Sequence, residues 1–370
     1  MKIREHAEEH TEAVRQFNER LKAGGIALQF PLSPTPAWLP KLAGRRVFQE
    51  HYLALDDEAA VRGAYILKHQ DFWIKDAVVS IGDFHSPVSE GAVNKSYAQV
   101  AVQLLRDALG RQPLLYGLGM GSYRQPIARL LSAAGWRMFS VPFFCRIVHP
   151  TRFLRRAAYL RRKAPMRWAM DALAVSGLGW LGVHALQAVC GRGLRLDPAV
   201  AAEPVAEFAD WADDLWRRYR GQYGMTAVRD AEALRILYPP ENPRFIRLKV
   251  SEHSRPIGWA VLLNTRLTRH KQFGDLRLGS IVDCFGDTGR AAQVVRAARA
   301  CLASQGVDLI VSNQSHAAWG GGFRRAGFLR GPSNFLFAAS RKLTELLQRD
   351  GVNNDDLHFN RGDGDGPINL

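Results

Sequence analysis

The feature that most limits the fold of this chain is a repeat in the order of its expected elements. Apolar periodicity predicts an amphipathic helix over residues 5–22, closed by Gly24 and Gly25, where a left-handed cap is easy. The proline-rich stretch that follows (Pro31, Pro34, Pro36, Pro40) must be loop, because proline lacks the ladder donor. Three strand-like runs, rich in β-branched and aromatic residues, come next at 47–55, 61–68 and 77–82. A helix at 96–109, a strand at 114–118, a helix at 127–134 and a strand at 140–148 complete the first half. The second half runs through the same order: a helix at 202–220 with Phe208, Trp211, Leu215 and Trp216 on one face, strands at 245–250, 257–264 and 278–284, a helix at 291–303, a strand at 309–312, a helix at 321–326 and a strand at 334–339. Duplication of one α/β unit of roughly 150 residues explains the length better than a single large sheet. The expected division is a first domain at 1–150, a linker at 151–200, a second domain at 201–345 and a polar tail at 346–370.

The linker is where composition matters. Its first part, RFLRRAAYLRRKAPMRW, is strongly basic, and the 18 residues 173–190 carry no formal charge unless His184 protonates. Eighteen residues lie at the lower limit for crossing a bilayer core of ~30 Å. A basic helix leading into an apolar one also describes an anchor lying on an anionic membrane face, and a pair of helices packed between the domains is the third reading. The chain carries 50 Lys and Arg against 35 Asp and Glu, a net +15. Between residues 151 and 196 nine cations (Arg152, Arg155, Arg156, Arg161, Arg162, Lys163, Arg167, Arg192, Arg195) face Asp171 alone, which is +8 of that +15. The surplus is therefore no diffuse coat of the kind that binds nucleic acid, and an anionic membrane surface reached through residues 152–190 is the expected partner.

Cys145, Cys190, Cys284 and Cys301 are scattered, which indicates neither zinc nor a disulfide framework. Reduced thiols and the lack of an apolar signal core in residues 1–18 lead to an expected cytoplasmic location, peripheral at the inner membrane face. The tail, ending NRGDGDGPINL, should be loop or disordered.

The second half contains LRLGSIVDCF, GDTGRAA, LIVSNQ and FRRAGF; the first contains DAVVSIGDF, YAQVAVQLLRDAL, LLYGLGMG and RLLSAAGW. In this order the chain resembles two GNAT acyltransferase domains in tandem, which implies two mixed, mostly antiparallel sheets flanked by helices. The resemblance implies an acyl-CoA donor, acetyl-CoA or another, and no metal. The family's acyl-CoA loop, Gln/Arg-x-x-Gly-x-Gly/Ala, matches best at Gly286, Asp287, Thr288, Gly289, Arg290 and Ala291. There glycines would admit the pyrophosphate to helix N-terminal amides, although Gly286 replaces the Gln or Arg and Asp287 opposes an anion. The first half's Val88-Ser89-Glu90-Gly91-Ala92-Val93 fits less well.

The family often has a tyrosine acid before the Gly-Phe of the last helix; Phe323 and Leu131 stand there, with Tyr123 as a substitute in the first half. In this fold the fourth and fifth strands splay, so polar residues at their ends should line the cleft and serve as base and oxyanion donors. That selects Asp283, Asn313 and His316 as catalytic residues in the second half. In the first half it selects Asp83, His85 and Glu90 as substrate-binding residues, with Gly119 and Gly121 allowing close backbone approach.

The string YGLGMGSYRQPIARLLSAAGWRMFSVPFF, followed by HPTRFLRR, resembles members associated with polysaccharide clusters. The implied activity is N-acylation of an amino-sugar or similar amine in polysaccharide or cell-envelope biosynthesis, with a small-molecule or glycan-precursor acceptor. Two alternatives stand beside it: a Fem-like transferase that takes an aminoacyl group from tRNA, and a non-catalytic binding protein.

Overall fold

Each half of the repeat builds its own sheet, but the sheets exchange strands. The computed structural model describes residues 1–190 and 197–364, which fall into one unit of residues 1–140 and 334–352 and a second of residues 141–333 and 353 onward.

The first unit runs β1 (Lys2–Glu5), α1 (Thr11–Ala23), β2 (Phe48–Leu55), β3 (Val61–Ile74), β4 (Ala77–Ser89), α2 (Val100–Arg111), β5 (Leu115–Leu118), α3 (Pro126–Ala133) and β6 (Arg137–Ser140). Side chains alternate across β3, so Ala64 and Ile66 meet Val14, Phe17 and Leu21 of α1 while Tyr65 and Leu67 meet Leu104, Leu105 and Ala108 of α2. Strands β1 to β4 are antiparallel. β4 and β5 are parallel and pair only at Gly82 with Leu115 and Asp83 with Tyr116, after which they part.

The second unit begins with β7 (Phe143–Ile147), α4 (Pro150–Arg156), α5 (Ala164–Val175) and α6 (Leu178–Cys190). It continues with β8 (Val200–Val205), α7 (Asp210–Tyr219), β9 (Met225–Ala227), α8 (Ala231–Leu237), β10 (Ile246–Glu252), β11 (Arg255–Arg266), β12 (Arg277–Gly286), α9 (Ala291–Ser304), β13 (Leu309–Asn313), α10 (Ala317–Arg325) and β14 (Leu329–Gly331). Its sheet is ordered β14-β7-β13-β12-β11-β10-β8, again with one short parallel pair, β12 with β13, from Leu278–Leu309 to Ser280–Val311. Gly63 in the first unit and Gly258 in the second sit at matching ladder positions, opposite Ser89 and Gly286. A Cβ at either would lie within 2.8 Å of a valine on the covering helix, Val100 or Val294. The duplication is thus built into packing as well as order.

Four expectations need correction. The run 140–148 is two strands in different sheets, because Pro142 interrupts the ladder between β6 and β7. The run 334–339 supplies β15 (Leu336–Ala339), which lies between β5 and β6 in the first sheet, while β7 lies between β13 and β14 in the second. The units therefore do not break at 150 and 345. The helix expected from 202 starts at Asp210, since residues 200–205 are an edge strand on β10 where Pro204 is tolerated. Finally, the tail is ordered through Gly364: α11 (Arg341–Arg349) belongs to the first unit, and β16 (Leu357–His358) pairs with β9 in the second, with Phe359, Asn360 and Asp363 buried. Arg192, Arg195 and Gly366 lie outside the described residues.

The linker 151–200 is part of the second unit. Phe153, Leu154 and Ala157 of the α4 segment and Ala174 of α5 pack on Leu276, Leu278, Leu309 and Val311. Among the described residues no single helix is long and apolar enough to cross a membrane; α5 and α6 meet that test only as a pair bent by 82°.

Candidate active site

In both units the fourth strand carries a bulge just past its parallel pairing. On β4 the register steps from Ile66–His85 to Ala64–Val88, one residue more on β4, and Ser86 takes φ +46. On β12 it steps from Leu262–Ile281 to Val261–Asp283. A bulge bends its strand and re-aims the neighbouring side chains, and the non-glycine left-handed Ser86 is a strained residue held by its surroundings.

The second-unit candidates do converge, but on one another. Asp283 is 1% exposed; it accepts hydrogen bonds from Arg229 Nε (3.1 and 3.2 Å), Tyr238 Oη (2.8 Å) and Asn360 Nδ2 (2.7 Å). The Arg229 guanidinium also holds Asp363 at 2.8 and 2.9 Å. Burial pushes the Asp283 carboxyl up to about 6 against the pull of Arg229. A carboxylate so fully engaged has no lone pair directed at a substrate, so it is an anchor for the tail. Asn360 bridges the parted strands: its Nδ2 reaches Asp283 on β12 and its Oδ1 accepts from Gln314 Nε2, just past β13. Asn313 accepts from Arg361 at 3.4 Å, and buried His316, held by desolvation at a pKa of about 4, stands at the N-cap position of α10 without capping it through its side chain, its ring 5.0 Å from that of Tyr223. Residues 354–364 thus fill the splay of the second unit.

The second-unit loop is closed in the same way. Thr288 N donates to Gln222 Oε1 (2.8 Å), Gly289 N to Asp287 Oδ1 (2.9 Å) and Arg290 N to Asp287 O (3.0 Å), so these amides already have acceptors. Gly286 (φ +151) is pressed on the Ile257 carbonyl, and Ala291 is buried beneath Gly322.

The first unit is different. A cavity of about 430 Å³ opens between the end of β4 and the helices α2 and α3, lined by Val88, Ser89, Ala101, Leu104, Ile127 and Leu130 among others. Its size and apolar walls suit a small-molecule ligand. Gly91 cannot be replaced there, because a Cβ would lie 2.5 Å from the Tyr97 carbonyl. Glu90 takes no place in the cavity: its buried carboxylate is clamped by Arg20 (3.2 Å) and Arg62 (3.1 Å), and it ties the loop to α1 and β3.

Upstream of the bulge, His85 Nδ1 lies 3.7 Å from Asp83 Oδ2 on the same face of β4, with Asp83 1% exposed. Across the ladder from Asp83 is Lys68, fully buried and 5.8 Å over the Trp38 ring. His51, opposite Ile66, is pushed down to about 4 by burial, with nearby His85 adding to the shift. Sequence reading passed over Lys68 and His51; polar residues at alternate positions of strands otherwise apolar were the available signal. Gly119 and Gly121 take φ +83 and +82 in the turn before α3, and Tyr123 is 53% exposed beside them. Leu131 and Phe323, at the acid positions, are both wholly buried core residues.

No family model and no curated protein matches the chain. Among solved structures it is similar to a probable N-acyltransferase, a conserved protein of unknown function from Enterococcus faecalis V583, with TM-score 0.50, 10% identity, and 92% of this chain and 72% of that one covered. It is similar also to Saccharomyces cerevisiae N-myristoyltransferase with bound myristoyl-CoA, with TM-score 0.50, 9% identity, and 92% and 78% covered. Two helix-flanked sheets, each with a short parallel pair that parts just before a bulge in its fourth strand, give this chain a GNAT-like fold.

Proposed function

We propose that the chain is an acyl-CoA-dependent N-acyltransferase whose donor lies in the first unit. One observation carries this reading: the cleft end of β4 opens on an apolar cavity, whereas the matching end of β12 is filled by residues 354–364. The acyl and pantetheine portions of the donor lie between α2 and α3, and the thioester carbon sits near the bulge at Ser86. His85, with the Asp83 carboxylate 3.7 Å away, takes the proton as the acceptor amine attacks that carbon. The C–N bond forms, the C–S bond breaks, and the proton passes from His85 to the departing thiolate, so no tyrosine acid is required. An amino-sugar in polysaccharide or cell-envelope synthesis is the acceptor class that the sequence resemblance supports.

Calorimetric titration with acyl-CoA tests the donor assignment. Ala101→Trp, which fills the cavity, should lower affinity by about tenfold or more, a loss of ~1.4 kcal/mol. Gly289→Glu, in the second-unit loop, should leave affinity unchanged. The opposite pattern would move the donor to the second unit.

A further inference from the structure

Helix α6 has its polarity reversed. Residues 178–189 contain no Asp, Glu, Lys or Arg, yet the side chain that faces inward is Gln187, 3% exposed, whose Nε2 donates to the Ile147 carbonyl. Leu178, Trp180, Leu181, Leu186 and Val189 of the same helix are each at least half exposed. On α5 Met166, Trp168 and Val175 are exposed as well, Trp168 at 78%. Among the described residues, nine of the sixteen exposed large hydrophobics lie between Tyr159 and Val189. A surface helix in water buries its apolar stripe, and a contiguous apolar face of this kind marks a contact surface.

Charge identifies what covers it. Arg155, Arg156, Arg162, Lys163 and Arg167 are all exposed on or beside the hairpin; Arg161 is paired with Asp171 at 2.6 Å, the one acid in the segment. Arg152 and Arg156 of α4 also line, with Arg266 and Arg277, a cavity of about 470 Å³, in which Asp275 and Asp308 are the acids. Apolar side chains with two tryptophans, bordered by exposed arginines, match the acyl boundary and the phosphates of an anionic lipid surface. Neither helix is long enough to cross: 12 and 13 residues rise only ~20 Å against a core of ~30 Å, and the turn at Gly177 (φ +75) bends the pair by 82°.

We infer that the α5–α6 hairpin docks the protein, in the plane of the interface, on an anionic lipid bilayer. Full-length protein should sediment with phosphatidylcholine vesicles carrying about 30% phosphatidylglycerol, and much less with phosphatidylcholine alone. Either Trp168→Glu with Leu181→Glu, or Arg162→Glu, Lys163→Glu and Arg167→Glu together, should weaken that binding by about tenfold or more. All five side chains are solvent-facing, so circular dichroism should confirm that both variants fold. Absence of binding, or binding that neither variant changes, would overturn the inference. Self-association in sedimentation velocity, abolished by the Trp168→Glu, Leu181→Glu variant while vesicle binding is missing, would assign the face to a second copy of the chain instead.

Discussion

The two units set the same device, a parallel pair that parts just before a bulge in the fourth strand, to different uses. In the first, the parted strands lead to an apolar cavity and a His85–Asp83 pair. In the second, a buried arginine, two aspartates, a tyrosine and an asparagine lock the tail into the same place. A duplicated fold can thus keep its backbone geometry in both copies while one keeps the room for a ligand and the other converts it to a structural core.

The largest expected effect tests the locked side. Arg229→Met leaves two carboxylates, each at most 2% exposed, without their cation, and should cost about 3–5 kcal/mol in unfolding free energy measured by denaturant titration. Glu90→Gln in the first unit should cost distinctly less, because Arg20 and Arg62 are 33% and 15% exposed and water can serve them. Equal losses would erase the contrast. On the open side, His85→Gln should lower kcat by about 100-fold while leaving acyl-CoA affinity intact. Full activity would remove His85 from the reaction.

A further expected effect, one of pH, is shared by the units. His6 and His51 in the first, and His316 in the second, are held by burial at about 4 against an ordinary 6.5. Between those values the unfolded chain takes up protons that the folded chain refuses, so stability should be level above pH 7 and fall as pH drops from about 6.5 to about 4. A melting temperature unchanged from pH 7.5 to 5 would contradict their buried, neutral state.

Much of this was legible in local pattern. The repeat of elements follows from period and order, whereas the splay, and with it the choice of Asp83 and His85 at a strand end, came from the family resemblance. The strand exchange was not legible, because β7 and β15 each have the pattern of a buried strand that could close either sheet, and only long-range register chooses. The loop at 286–291 had suitable glycines, but Gln222, 66 residues before Thr288, supplies the acceptor that closes it. The surroundings of Asp283 were not legible: its partners Arg229 and Asn360 lie 54 and 77 residues away, and Asn360 sits with Asp363, the second carboxylate on Arg229, in a segment whose glycines and aspartates read as a free tail.

Hydrogen–deuterium exchange with and without acyl-CoA compares the two clefts in one experiment. Donor binding in the first unit should protect amides at 88–104 and 126–131 and leave 286–304 and 354–364 unchanged. Protection at 286–304, with faster exchange at 354–364 as the tail gives way, would contradict it.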